Sequence, residues 1–211
     1  MIRINLWSGP RNISTALMYS FAQRADTRIH DEPLYAHYLT HTDARDYHPG
    51  AQEIIAAQEN DGGKVVRYLM LGPCDKPVAF FKQMTHHLVD LDLQFLRQTV
   101  NVILTRDPVD MLPSYAQHVE TPGLRDTGYP QALELLEELL RIGQVPAILD
   151  ARQTLSDPRS VLGQLCQHVG IDFEEAMLSW EARARPEDGV WATHWYGNVH
   201  RSTGFQPYSP K

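Results

Sequence analysis

The residues best suited to chemistry begin at the second position, where Ile2 to Thr15 reads Ile-Arg-Ile-Asn-Leu-Trp-Ser-Gly-Pro-Arg-Asn-Ile-Ser-Thr. The first half alternates apolar and polar residues and is rich in β-branched side chains, the pattern of a strand. Ser8, Gly9 and Pro10 then predict a tight turn. Ser14 and Thr15 open a segment with Leu17, Met18, Phe21 and Ala22 at helical spacing. A strand, a glycine turn and a helix aim free backbone N–H groups and the positive end of a helix dipole at one point. Residues Ser8, Gly9, Pro10, Arg11, Asn12, Ile13, Ser14 and Thr15 are therefore expected to form an anion-binding cradle, to which Arg11 adds a planar fork of donors. A loop built for a nucleoside triphosphate and magnesium continues from its second glycine into Lys and Ser or Thr. That lysine is absent here.

Two further clusters have the right chemistry. Asn101 to Thr105 reads as a buried strand and runs directly into Arg106-Asp107-Pro108, where Asp107 can cap a helix and Pro108 suits its first position. An Arg at the end of that strand and the hydroxyl of Ser114 on the following helix can converge on one phosphate. Glu32 follows a short strand at Thr27 to His30, and Lys82 ends another at Val78 to Phe81, with His86 and His87 just beyond. A carboxylate beside an anion cradle is a candidate general base when burial raises its pKa.

In this order and spacing the motifs resemble those of sulfotransferases that use 3′-phosphoadenosine 5′-phosphosulfate (PAPS), in particular the bacterial and carbohydrate enzymes. The cradle is similar to their phosphosulfate loop. Arg106 and Ser114, eight positions apart, match the pair that binds the 3′-phosphate. Asp31-Glu32-Pro33-Leu34-Tyr35 is similar to the Glu-Pro-Leu segment whose Glu is the proposed base. Lys82 to His87 is similar to the Lys-Thr-His segment of cytosolic sulfotransferases with two more residues before the His. The resemblance thus implies Glu32 or His86 as base and Lys82 as a stabiliser of charge on the bridging oxygen. Arg201, in Arg201-Ser202-Thr203-Gly204, stands where the family folds a basic segment over the 3′-phosphate. The implied activity is transfer of a sulfuryl group from PAPS to a hydroxyl or amine of a small or carbohydrate-like acceptor, without a metal. The alternatives are an ATP-dependent phosphotransferase on the same fold, against which the missing lysine argues, and a nucleotide-binding module without catalysis.

The elements that must position these residues alternate. Strands are expected at the start of the chain and at 27–30, 64–71, 78–81, 101–105 and 145–150. Helices are expected after Ser14, at 51–60 stopped by Gly62-Gly63, at 89–97, from Pro108 to Val119 with a kink at Pro113, at 131–142, and at 157–169 closed by Gly170. Alternation of this kind predicts an α/β fold of three layers, a central parallel sheet with helices on both faces, and ligands at the carboxyl ends of the strands. The resemblance implies the P-loop NTPase-like sulfotransferase form of it. The aromatic and polar tail from Trp191 reads as an ordered loop outside the core, and His37 and His41 as a surface pair on one helix face.

The 211 residues fit one domain, 1–211. A net charge of −7 with scattered basic residues makes nucleic acid an unexpected partner. No apolar run is long enough for a bilayer, and no leader precedes the first strand, so no membrane is expected and the location is expected to be cytoplasmic. Two cysteines make no disulfide framework, and Cys166 is expected in the core. The acceptor is expected to be shaped by the loops at 35–48 and 121–129 and by the tail; the motifs specify no oligomeric state.

Overall fold

A computed structural model describes residues 1–117, 119 and 122–208. Five strands, β1 (Ile2–Ser8), β2 (Thr27–Asp31), β3 (Val78–Met84), β4 (Val100–Thr105) and β5 (Ala147–Asp150), form one parallel sheet in the order β2-β3-β1-β4-β5. Strand side chains alternate between its faces. Ile4, Leu6, Phe80, Val102 and Leu104 therefore join one core with α1 (Ser14–Phe21), α2 (Tyr35–His41) and the helix Pro158–Val169. Trp7, Ala79, Phe81 and Ile103 join the other, under the helix Tyr129–Arg141. The three-layer α/β architecture is the one expected, and Cys166 is buried in the first core. The chain leaves β1 towards one edge and β4 towards the other, so the crevice opens at the carboxyl ends of β1, β3 and β4.

Several elements differ from expectation. Residues 64–71 are helical rather than extended: Asp61 caps Lys64 N–H at 3.1 Å, Gly62–Lys64 begins the turns, and Val65–Met70 continues them with a wide Leu71 N–H to Val66 C=O bond of 2.9 Å. Burial explains it, because Val65 and Met70 are covered while Arg67, Tyr68 and Leu69 are not, which is not a period-two pattern. Gly62 thus starts a helix rather than stopping one, and α3 spans only Ala51–Ala57. Residues 89–97 do not form the expected helix; tight turns begin at Leu93 and end at Gln98, with Asp92 accepting from Gln94 N–H at 3.0 Å. The helix from Pro108 runs through Pro113 and ends at Tyr115, short of Val119. His37 is buried and bonded to Val89 O and Asn60 O, so only His41 of the expected surface pair is exposed. The tail is also more than a loop: Trp191 and Tyr196 are core residues, carried by the short helices Ala192–Trp195 and Gly197–His200.

The bend after β1 is sharper in a specific way. The left-handed residue is Arg11, at φ 52°, whereas Gly9 is needed for proximity, since a Cβ there would lie 2.5 Å from Thr127 O. Overpacking of this kind costs about 1–3 kcal/mol. Gly9→Ala is expected to lower stability by that amount in urea unfolding while leaving the far-ultraviolet spectrum of the refolded protein unchanged.

Candidate active site

All three chemical clusters sit at the carboxyl ends of strands and open on one cavity of about 560 Å³. The cradle follows β1. Arg106 follows β4 and its guanidinium donates to Arg11 O at 2.9 Å, while Tyr129 OH fixes Arg106 O at 2.7 Å. Arg11 Nε donates to Ser114 Oγ at 3.1 Å and its Nη1 to Trp195 O at 3.2 Å, and Asn12 Nδ2 ties the bend to Leu104 O at 3.2 Å. Arg106 thus lies against the bend, on the same side of the sheet. Asp107 caps its helix through Val109 N–H at 2.9 Å, and Asp110 accepts instead from Tyr208 OH at 2.9 Å. Among the described residues no carboxylate pairs with Arg11 or Arg106. Burial, and then the neighbouring charge of Arg106, depress the pKa of Arg11. The N–H groups of the first turn of α1, at Ser14, Thr15 and Ala16, have no intrahelical acceptor. Two cations and a helix N-terminus without counter-charge are what a phosphate- or sulfate-bearing ligand requires. Pro10, Arg11, Asn12, Ile13, Ser14 and Thr15 line this end with Arg106, Ser114 and Arg201. Ser8 and Gly9 do not line it: the Ser8 hydroxyl turns back to Gln83 O at 3.4 Å. Arg201 bonds Asn198 Oδ1 at 2.9 Å at the exposed rim.

Further along the cavity, Glu32 takes the left-handed conformation (φ 39°) immediately after β2. Its backbone is held by Lys82 O, which accepts from Glu32 N–H at 2.9 Å, and by Gln58 Nε2, which donates to Glu32 O at 3.1 Å. Lys82 is wholly buried. Its Nζ donates to Glu32 Oε1, to Asp31 Oδ1 at 3.0 Å and to Tyr196 OH at 2.7 Å, so all three of its protons are used. Burial raises the Glu32 carboxyl above its ordinary value; Lys82 opposes this and Asp31 reinforces it. Burial alone would lower the Lys82 pKa, but the two carboxylates reverse it and hold the ammonium charged. His86 lies in the same cavity, and burial, then His48 and Arg125, drop it to about 3. It is therefore a far weaker base than Glu32. Tyr35, stacked on His87 at 4.7 Å and hydrogen-bonded to His48 at 2.8 Å, completes the wall.

Asp31, Tyr35 and His87, though quoted within the motifs, and Tyr196 in the tail were given no catalytic or donor-binding role by the sequence. Asp31 adjoins a named motif and pairs in register with Lys82, so strand pairing was its only signal. Tyr196 lies in a segment that shows no periodicity. No group of three or more His, Cys, Asp or Glu is placed to hold a metal ion among the described residues, and no helix among them is long and apolar enough to cross a membrane. Thr121, in one expected acceptor loop, and residues 209–211 lie outside the described residues.

A family model for the sulfotransferase domain matches residues 2–210. The chain belongs to the sulfotransferase family. Among solved structures, the sulfotransferase domain of the Synechococcus PCC 7002 olefin synthase superposes on this sulfotransferase with a TM-score of 0.62 at 17% identity, covering 98% of this chain and 85% of that one. The fold is therefore the sulfotransferase fold. Branched-chain-amino-acid aminotransferase-like proteins 2 and 1 of Arabidopsis thaliana are each 39% identical, over 96% and 99% of this chain but 36% and 37% of their own lengths. The chain spans about a third of these relatives.

The buried histidines give this site a pH signature. Burial lowers His48 from 6.5 to about 4 and His86 to about 3, so on acidification the unfolded chain takes up protons before the folded one does. Stability is therefore present above pH 6.5 and lost as pH falls towards 4, while Glu32, shifted the other way, offsets part of the loss at the lower end. Urea titrations at about pH 7.5 and 5.5 are expected to show a fall of about 1–2 kcal/mol per pH unit. His48→Gln should flatten that slope.

Proposed function

We propose that this sulfotransferase moves a sulfuryl group from PAPS to a hydroxyl or amine of a small or carbohydrate-like acceptor, releasing 3′-phosphoadenosine 5′-phosphate (PAP). The observation that carries the reading is the pair of uncompensated guanidinium groups, Arg11 and Arg106, gathered over the first turn of α1 in the cavity that Glu32 also lines. The donor molecule supplies the activated sulfur. Arg11 and the N–H groups of Ser14 and Thr15 would hold its 5′-phosphosulfate, and Arg106 and Ser114 its 3′-phosphate, with Arg201 at the rim. These groups fit it because they supply positive charge that no carboxylate among the described residues takes up.

Sulfuryl transfer resembles phosphoryl transfer in needing position and charge neutralisation above all. The acceptor oxygen forms a bond to sulfur as the bond from sulfur to the 5′-phosphate oxygen breaks, and the electron pair leaves with PAP. Glu32 takes the acceptor's proton and later releases it to water. Lys82 acts through space, since its donors are committed within the protein. Tyr35, His48, His86 and His87 face the acceptor as aromatic and uncharged imidazole surfaces, a lining that suits a neutral hydroxylated molecule. Two free thiols are compatible with a reducing cytoplasm.

Thermal shift with PAP is expected to stabilise the protein where ATP with magnesium does not. Arg106→Ala should weaken PAP binding by about 10- to 100-fold without loss of the fold, as expected for a lost charge-assisted hydrogen bond. In a screen of labelled PAPS against hydroxyl and amine acceptors, Glu32→Gln should lower turnover by about 10²- to 10⁴-fold and leave PAP affinity unchanged. Full turnover in that variant would remove Glu32 from the reaction, and a larger shift with ATP and magnesium would favour phosphoryl transfer.

A further inference from the structure

One buried carboxylate next to the reacting end of the cavity has no part in the scheme above. Asp31 ends β2, directly across from Lys82 in the sheet, and does not line the cavity. Its Oδ1 accepts from Lys82 Nζ at 3.0 Å. The Tyr196 hydroxyl lies 2.8 and 2.7 Å from its two oxygens, and Gly189 N–H donates to Oδ2 at 3.2 Å. Tyr196 is itself fixed by Trp191 Nε1, which donates to its hydroxyl at 3.0 Å. The carboxylate is thus aimed by two separate stretches, β2 and the segment from Gly189 to Tyr196, and satisfied without any ligand.

The consequence follows from counting charge. A single ammonium faces two carboxylates in a place from which water is excluded. Were Glu32 alone with Lys82, the two would form a matched pair, and a carboxylate so paired holds a proton poorly. With Asp31 present, the ammonium is divided and the second negative charge lies next to the first. The other titratable groups facing Glu32 are Tyr35 from α2 and Tyr196 from the tail, both kept neutral by burial; His87, uncharged for the same reason, faces Lys82.

We propose that Asp31 is a positioning residue for sulfuryl transfer: pinned by Tyr196 and the Gly189 N–H, it shares the Lys82 ammonium with Glu32 and sets a second negative charge beside it, and so leaves the Glu32 carboxylate able to take the acceptor's proton. This rests on Glu32 acting as the base.

Asp31→Asn keeps the shape and removes the charge. Carbon-13 NMR of carboxyl-labelled protein, with Glu32 assigned by its disappearance in Glu32→Gln, reads the Glu32 midpoint without any reaction. In Asp31→Asn that midpoint is expected to fall by about one pH unit or more, and the acid limb of the transfer rate to move down with it. PAP affinity should stay within about twofold. An unchanged Glu32 midpoint overturns the proposal. The unaltered protein offers a test independent of that variant's folding: Glu32 should titrate in two steps, as a group coupled to a second carboxylate does, whereas a single-step curve overturns it. Full turnover in Glu32→Gln alongside a shifted midpoint in Asp31→Asn would sink the assignment of the base and leave the coupling standing.

Discussion

An ammonium group inside a parallel sheet has to be neutralised where it stands, and Lys82 imposes that condition on three separate parts of the chain. Removing one partner of a buried charged pair costs about 3–5 kcal/mol, so the arrangement around it is strongly constrained. Asp31 and Glu32 come from the end of the neighbouring strand and Tyr196 from the tail, 114 residues further along than Lys82. Once the lysine is in β3, the chain after β2 must turn abruptly to present both carboxylates, and the left-handed backbone of Glu32 is that turn. The tail must return across the site to bring a hydroxyl, and in doing so it lays Trp195 O against Arg11. The satisfaction of one cation therefore joins the base, the cradle and the tail.

Charge in the cavity is separated along its length. At one end Arg11 and Arg106 crowd together without an acid to pair with among the described residues, an arrangement that is unfavourable until an anion arrives. At the other, the carboxylates outnumber the single ammonium and the surrounding imidazoles are uncharged. An overall acidic chain concentrates positive potential at one end of the cavity in this way, where a polyanion would meet attraction. The division also keeps Glu32 away from the arginines, whose charge would otherwise lower its affinity for a proton.

Much of this was legible because the relevant signals are local. Alternation at the start of the chain, the apolar runs at 78–81 and 101–105, the Asp107-Pro108 helix start and the glycine bend each occupy one short stretch whose side-chain types dictate its geometry. Arg106 and Ser114 could be assigned to the cradle because strand and helix carry them to the same end of the sheet. Residues 64–71 misled, since two adjacent valines favour a strand while the capping carboxylate of Asp61 and burial of Val65 and Met70 alone decide for helical turns. Lys82 was legible as a charged residue at a strand end, but not that its protons are spent within the protein. That depends on Asp31 by register and on Tyr196 by a tail whose aromatic residues have no period to read.

The closeness of Gly9 to Thr127 has a bearing on how such a site can diversify. The bend that would grip the donor leans on a carbonyl without space for a methyl group, and Thr85 Oγ1 locks the adjoining Gly128 O at 2.9 Å. The entry to the helix Tyr129–Arg141 is thereby mortised into the bend after β1. Sequence drift in the preceding loop must stop short of Thr127, because beyond that point a change of backbone path is a change in the bend that carries Arg11.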